Sequence, residues 1–248
     1  MDSQTSQTIQ QPAVALPKLS PFWPMLNSSL TDFGQNFWKY LGIVALPFLF
    51  MIPIGIGMVI GAFYVTDWKS LDISLLIILG IIGLALIVSA IIAGLFSQVA
   101  LLLAIKSPEK KIKELLLEAK PLIGKFFGTS LLTGITIMFL FLLLIVPGII
   151  FSVYYCLVSY VFIYEGRINS DAMSRSKILV KGHWWPIAWR LLGLGIIFIV
   201  VSIILNQIDK SAFGSDSAVF SNITQLLFTP LSAIFLTKLY HELKSIKG

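Results

Sequence analysis

The chain has 248 residues, of which 57% are hydrophobic and only 12% are charged, against about 25% charged residues in ordinary soluble domains. Lys and Arg number 18 and Asp and Glu number 12, so the formal net charge is +6. This composition excludes a soluble globular protein, a disordered chain and a nucleic-acid-binding protein, which needs basic residues on an extensive polar surface. The chain is long enough for several membrane spans of about 20 apolar residues each.

The N-terminal segment, residues 1–29, is the only stretch of soluble-like composition, rich in Gln, Ser, Thr and Pro. A segment of this kind buries too little apolar surface to offset its ordering entropy, so we expect a disordered cytoplasmic tail. Residues 30–248 are predicted to form one all-α membrane domain.

Long apolar runs predict six transmembrane helices in that domain, arranged as three hairpins. Their predicted bounds are about 37–64, 73–105, 122–146, 148–164, 184–205 and 219–240. The third and fourth spans are separated because a single helix over 122–164 would be about 64 Å long, twice the hydrocarbon thickness. Pro147 and Gly148 supply the break signal inside that run.

Short surface helices are predicted between spans two and three and between spans four and five. Ser107 as N-cap, with Pro108 at the first helical position, predicts an amphipathic helix over 107–120 that lies in the membrane interface. Helix-start residues near Asn169 predict a short basic helix that Gly182 closes. Residues 206–217 are predicted to form a polar loop.

The distribution of Lys and Arg predicts the orientation of the chain. In the six-span arrangement 16 of these residues fall on one side of the membrane, and only Lys69 and Lys210 fall on the other. The positive-inside rule then places both termini in the cytoplasm.

Motifs that carry chemistry are missing from the sequence. Cys156 is the only cysteine, which excludes an internal disulfide and a CxxC site. No charged residue lies deep in a predicted span, and no nucleophile–base pair can be assembled. We therefore expect a protein that is not an enzyme and that holds no cofactor and no metal.

Polar side chains recur at helical spacing on three of the predicted spans. They are Thr129, Thr133 and Thr136 on the third span, Ser152, Cys156 and Ser159 on the fourth, and Asn222, Gln225, Thr229 and Ser232 on the sixth. Two interpretations stay open: hydrogen bonding between packed helices, or the lining of a polar cavity for a substrate or a lipid head group.

The segment after the fourth span is the most distinctive. Glu165 ends that span at the predicted cytoplasmic interface, and Arg175 and Lys177 follow on a short helix from which they can pair with it. One role is a surface ion pair that fixes the hairpin angle; the other is a site for anionic lipid. The candidate residues for contact with lipid or a partner are Glu165, Arg175, Lys177, Lys181, Lys110, Lys111 and Lys113.

A Pro-Gly turn, a span that ends in Glu-Gly, a short Ala-x-x-x-Ser helix and a Gly followed by aromatic residues occur in order along 122–194. The residues are Pro147, Gly148, Glu165, Gly166, Ala172, Ser176, Lys177, Leu179, Val180, Lys181, Gly182 and Trp184. This pattern resembles the membrane domain of some glycerophosphoryl diester phosphodiesterases and its stand-alone prokaryotic relatives. The catalytic barrel of the fused relatives is absent from this chain, so the resemblance implies a fold and not their activity.

The sequence as a whole predicts an integral protein of the prokaryotic cytoplasmic membrane, with membrane lipids and no nucleic acid as its partners. Its predicted role is that of a non-enzymatic scaffold or lipid-interacting component. A transporter that moves a small or lipidic solute through a polar-lined helix bundle is the alternative.

Overall fold

The computed structural model describes residues 19–64, 73–213 and 219–248. Within these ranges the chain forms helices and no β-strand, so the predicted all-α fold is confirmed. The α-helices are α1 (Phe22–Gln35), α2 (Phe37–Tyr64), α3 (Ile73–Lys106), α4 (Ile112–Ala119), α5 (Ile123–Leu143), α6 (Ile145–Tyr155), α7 (Val158–Glu165), α8 (Asn169–Val180), α9 (Trp184–Phe213) and α10 (Val219–Lys247).

Several of the described helices are long and apolar enough to cross a membrane. The candidate spans are Gly80–Lys106, Ile112–Leu143, Ile145–Glu165, Trp184–Ser211 and Ile223–Lys247, and Phe37–Phe48 is a shorter apolar stretch. The shorter stretch belongs to α2, which continues to Tyr64. Each of the six predicted spans therefore has a helical counterpart, and the chain is a polytopic membrane protein.

The start of the described chain differs from the predicted disordered tail. Residues 22–29 belong to α1, whose Met25, Leu26 and Ser29 are buried. The ring of Phe22 packs against that of Phe235 in α10, with 5.6 Å between the centroids. Phe22, Met25, Leu26 and Ser29 recur at helical spacing and form the face of α1 that packs on the bundle. The prediction of disorder is therefore wrong for 22–29. Residues 1–18 lie outside the described ranges.

The turn between the third and fourth spans lies earlier than predicted. Leu144 is extended, with φ −159° and ψ 133°, and it separates α5 from α6. Pro147 lies in the first turn of α6, where a proline is tolerated because the missing N–H would have no helical partner anyway. The predicted break at Pro147 and Gly148 is therefore wrong by three residues.

Two other boundaries also need correction. The amide of Ser107 donates to the carbonyl of Leu103 at 2.9 Å, so Ser107 closes α3 and does not begin the next helix. Helix α4 begins at Ile112, where the amide of Lys111 donates to the carboxylate of Glu114 at 3.3 Å. In α9 the helix continues to Phe213, so the predicted loop is wrong over 206–213, and 214–218 lie outside the described ranges.

The buried core lies within the central helices. Helices α3 and α10 supply the largest numbers of buried side chains among the described residues, whereas α5 contributes only Phe126 and Thr129. The apolar side chains of α5 and α9 are largely exposed. These two helices therefore present apolar faces to the lipid, and the central helices frame the interior of the bundle.

Candidate functional site

A cavity of about 530 Å³ lies among α2, α3, α10 and the residues around the α6–α7 junction. Its polar lining consists of Ser97, Gln98, Cys156, Ser159, Tyr160, Gln225, Thr229 and Ser232. Ser159 lies six residues before the end of α7 and Gln98 eight before the end of α3, or about 9 and 12 Å along the helix axes. The cavity therefore lies inside the helix bundle, within about 12 Å of the end at which α3 and α7 terminate.

The lining side chains fall into two groups according to their hydrogen bonds. Ser97 donates to the carbonyl of Ile43 at 2.8 Å and ties α3 to α2. Gln98, Ser159 and Gln225 face the cavity without a side-chain hydrogen bond to any described residue. Two primary amides and a hydroxyl are thus available to a polar molecule in the cavity.

Only part of the predicted polar lining is found at this cavity. Five residues of the predicted stripes line it: Cys156, Ser159, Gln225, Thr229 and Ser232. Thr133 and Ser152 instead donate to carbonyls of their own helices, at 2.8 and 2.7 Å, and neither lines the cavity. Asn222 belongs to α10, but its side chain lies outside the described part of the structure.

Thr129 has a structural role in place of the predicted cavity role. Its side chain is buried at 1% exposure, and its hydroxyl oxygen accepts the backbone N–H of Asn169 at 2.9 Å. Asn169 begins α8 with a left-handed φ of 50°, which asparagine tolerates better than most residues. Thr129 therefore fixes the start of α8 against α5.

We expect Thr129→Val to lower the free energy of unfolding by about 1 kcal/mol, because valine keeps the shape but cannot accept the Asn169 N–H. Unfolding in mixed detergent–SDS micelles measures this change. Thr136→Val is the matched control, since within the described ranges the Thr136 hydroxyl donates only to the Leu132 carbonyl of its own helix, at 2.8 Å. Equal stabilities of the two variants would contradict this role.

The end of the bundle at which α3, α7 and α10 terminate carries a charge cluster centred on Glu165; we call it the basic end. The Glu165 carboxylate accepts the Arg175 guanidinium at 3.1 Å and the Tyr240 hydroxyl at 3.0 Å. Arg167 Nε lies 3.0 Å from one oxygen of this carboxylate, and Lys244 Nζ lies 3.9 Å from the other. The Glu165 and Arg175 side chains are only 10% and 13% exposed, so the predicted pairing with Arg175 is confirmed as a largely buried ion pair.

An aromatic pair separates this cluster from the cavity. The rings of Tyr164 and Tyr240 stack with 5.2 Å between their centroids. Each lies one helical turn beyond a cavity-lining residue, Tyr160 in α7 and Leu236 in α10. The Lys106 ammonium donates to the carbonyl of Ile163 at 2.9 Å and lies 5.5 Å from the Tyr164 ring centroid. Tyr164 and Tyr240 do not line the cavity, but they lie one helical turn beyond its lining residues toward the basic end, and we call this pair the aromatic floor.

The other basic residues predicted for lipid contact do not gather at one place. Lys177 does not pair with Glu165; its ammonium lies 5.3 Å from the ring centroid of Phe151. The side chains of Lys111, Lys113 and Lys181 have no hydrogen-bond or ion-pair partner among the described residues. The Lys181 carbonyl accepts the Lys247 ammonium at 2.7 Å.

Lys110 forms an exposed ion pair with Glu118 at 2.7 Å. That hydrogen bond raises the pKa of Lys110. No hydrogen bond or ion pair joins the lysines at the start of α4 to α8 within the described ranges. The predicted set of contact residues is thus divided between the Glu165 cluster and separate surface lysines.

Sequence reasoning missed Gln98, Ser97 and Tyr160. Gln98 is a primary amide inside an apolar run, the same signal that singled out Gln225 on the sixth span. Ser97 and Tyr160 offered no distinct signal, because serine and tyrosine are common in packed membrane helices.

No family model, curated protein or solved structure matches this chain. Among the described residues, no group of three His, Cys, Asp or Glu side chains is placed to hold a metal ion. Fold and cavity together define a class: an all-α polytopic membrane protein with a partly polar cavity inside the helix bundle.

Proposed function

We propose that the protein is a non-enzymatic, lipid-interacting membrane component whose cavity holds an amphipathic molecule taken from the bilayer. The observation that carries this proposal is the set of unpartnered Gln98, Ser159 and Gln225 side chains at a cavity of about 530 Å³. Polar groups in hydrocarbon are costly unless they find partners, so a bound molecule with polar groups stabilises this arrangement. The volume falls within the range of about 300–1,000 Å³ typical of small-ligand sites.

The Glu165 cluster supports a scaffold role for the basic end. The carboxylate connects the end of α7 with Arg175 of α8 and with Tyr240 and Lys244 of α10. Of these helices, α7 and α10 also line the cavity, so the cluster supports the shape of the cavity. Arg175 serves this network and is not free for an anionic lipid.

A transporter of a small or lipidic solute is the second candidate function. The position of the cavity inside the helix bundle favours it, since transporters bind their substrates between membrane helices. Transport further requires that the floor formed by Tyr164 and Tyr240 opens. Flux of a labelled ligand across proteoliposomes therefore separates a carrier from a protein that only holds its ligand.

The resemblance to the membrane domain of glycerophosphoryl diester phosphodiesterases is part of the same proposal. Its support is that residues of the shared pattern have structural tasks here. Ala172 is fully buried, Ser176 donates to the Tyr154 carbonyl at 2.7 Å, and Gly182 has a φ of 90° that other residues rarely adopt. A pattern of packing and turn residues supports a shared fold. Ligand binding would depend on residues at other positions.

Native mass spectrometry of protein released from nanodiscs tests the lipid-binding proposal. We expect the wild type to retain a bound lipid and the double variant Gln98→Leu, Gln225→Leu to lose it, because leucine removes the two free amides. The matched control is Gln207→Leu, since Gln207 is exposed on α9 away from the cavity. Equal lipid retention by all three proteins, or none by the wild type, would overturn the proposal.

The proposed location is the prokaryotic cytoplasmic membrane, with both termini in the cytoplasm. We expect a cysteine placed at Ser170, in a Cys156→Ser background, to react with an impermeant maleimide only from the cytoplasmic face. A cysteine at Ser70 is expected to react only from the opposite face, because the basic residues cluster on the first side. The reverse labelling pattern would contradict the proposed orientation.

A further inference from the structure

The cavity differs from the rest of this end of the bundle in its charge. Its described lining residues contain amide, hydroxyl and thiol groups but no Asp, Glu, Lys, Arg or His. Hydrogen bonding is therefore available inside the cavity, whereas a countercharge is not.

The charged side chains toward the ends of α3 and α10 contact partners outside the cavity lining. Lys106 donates to the carbonyl of Ile163, and Lys244 lies beside Glu165 and over the Tyr240 ring, at 5.7 Å from its centroid. Both belong to the far side of the aromatic floor. Lys238, two residues beyond the lining residue Leu236, pairs with Asp32 of α1 at 2.7 Å.

We infer that the cavity takes a lipid or lipid-like molecule with an uncharged, hydrogen-bonding head group and discriminates against its phosphate-bearing counterpart. This inference rests on the proposed function and narrows the class of its ligand. Hydroxyl or ester groups of the head group would pair with Gln98, Ser159 and Gln225, while an apolar chain would lie along Val44, Leu101 and Leu102.

Electrostatics gives the reason for this discrimination. A phosphate that enters a site inside the helix bundle loses its hydration and needs a cation or several fixed donors in return. Amide groups supply hydrogen bonds but no net positive charge. An uncharged glycerol head group loses much less on leaving water, and the amides can replace the hydrogen bonds that it gives up.

The test compares two ligands that differ by one phosphate group. Tritiated monooleoylglycerol is bound to the full chain in nanodiscs. It is then displaced either by unlabelled monooleoylglycerol or by monooleoylglycerol phosphate, in which one free glycerol hydroxyl carries a phosphate. We expect the phosphate ester to displace the label at about tenfold higher concentration or more, and the double variant Gln98→Leu, Gln225→Leu to bind about tenfold more weakly. Gln207→Leu is expected to bind like the wild type.

Gln225→Arg provides an independent variant that introduces a cation into the cavity. We expect it to reverse the preference and to bind the phosphate ester about tenfold better than the wild type does. The elution profile of this variant on size-exclusion chromatography shows whether it is folded. If it is not, Gln98→Lys is the alternative variant that introduces a cation into the cavity.

The possible results separate the inference from the proposed function. Equal or tighter binding of the phosphate ester by the wild type, with both ligands weakened in the double leucine variant, would overturn the inference and leave the cavity as the binding site. Binding of neither ligand, or binding unchanged in the double leucine variant, would overturn the proposed function as well.

Discussion

Glu165→Ala is expected to lower the free energy of unfolding by about 3 kcal/mol, which is the cost of breaking a buried ion pair from one side. The substitution leaves the Arg175 guanidinium, 13% exposed, without its carboxylate partner. It also removes the acceptor of the Tyr240 hydroxyl, at 3.0 Å, and the countercharge of Arg167 and Lys244. Unfolding in mixed detergent–SDS micelles measures the loss.

Glu118→Ala is the matched control for this prediction. Glu118 also forms an ion pair with a lysine at 2.7 Å, but both side chains are well exposed, at 44% and 37%. Its loss should therefore cost far less than the loss of Glu165, because solvent screens an exposed ion pair. If Glu165→Ala costs no more than Glu118→Ala, the Glu165 cluster does not hold the helix ends together.

A double-mutant cycle tests whether Arg175 is the main partner of Glu165. The variant Glu165→Ala, Arg175→Ala should cost less than the sum of the two single changes, because the second substitution removes a charge that the first has left unpaired. The loss of unfolding free energy that remains in the double variant reports on the contacts of Glu165 with Tyr240, Arg167 and Lys244. Additive effects would assign the stabilisation to those groups instead.

The sequence predicted the helices better than it predicted their ends. The apolar run and its flanking aromatic and charged residues placed the start of α2 at Phe37, where the structure has it. The turn at Leu144 could not be predicted, since leucine carries no turn signal and Pro147 fits within a first helical turn. Helix α1 was missed because the polar, proline-rich composition of 1–29 outweighed the helical spacing of the residues that pack on the bundle.

The candidate site was predicted only in part, for a similar reason. Periodicity identified Ser159 and Gln225 as polar residues on helix faces, and both line the cavity. It identified Thr129 equally well, but its partner Asn169 lies 40 residues along the chain. Spacing shows which side chains share a face, whereas the neighbour of that face depends on tertiary packing.

Gly148→Ala is expected to destabilise the protein by about 1–3 kcal/mol through overpacking of the α5–α6 hairpin. A Cβ atom at this buried position would lie 2.5 Å from Cγ of Phe141, and two further ring atoms would lie within 2.8 Å. The direction of the effect is informative, because alanine normally stabilises a helix relative to glycine by up to about 1 kcal/mol. The same micelle unfolding experiment measures it.

Gly134→Ala is the matched control, since Gly134 lies on α5 of the same hairpin and has open space around its Cβ position. It should leave the free energy of unfolding unchanged or raise it. The Phe141→Ala background removes the ring that Gly148→Ala would strike, so the added methyl group should cost little there. If Gly148→Ala remains as costly in that background, the close approach of Phe141 is not the reason for glycine at the start of α6.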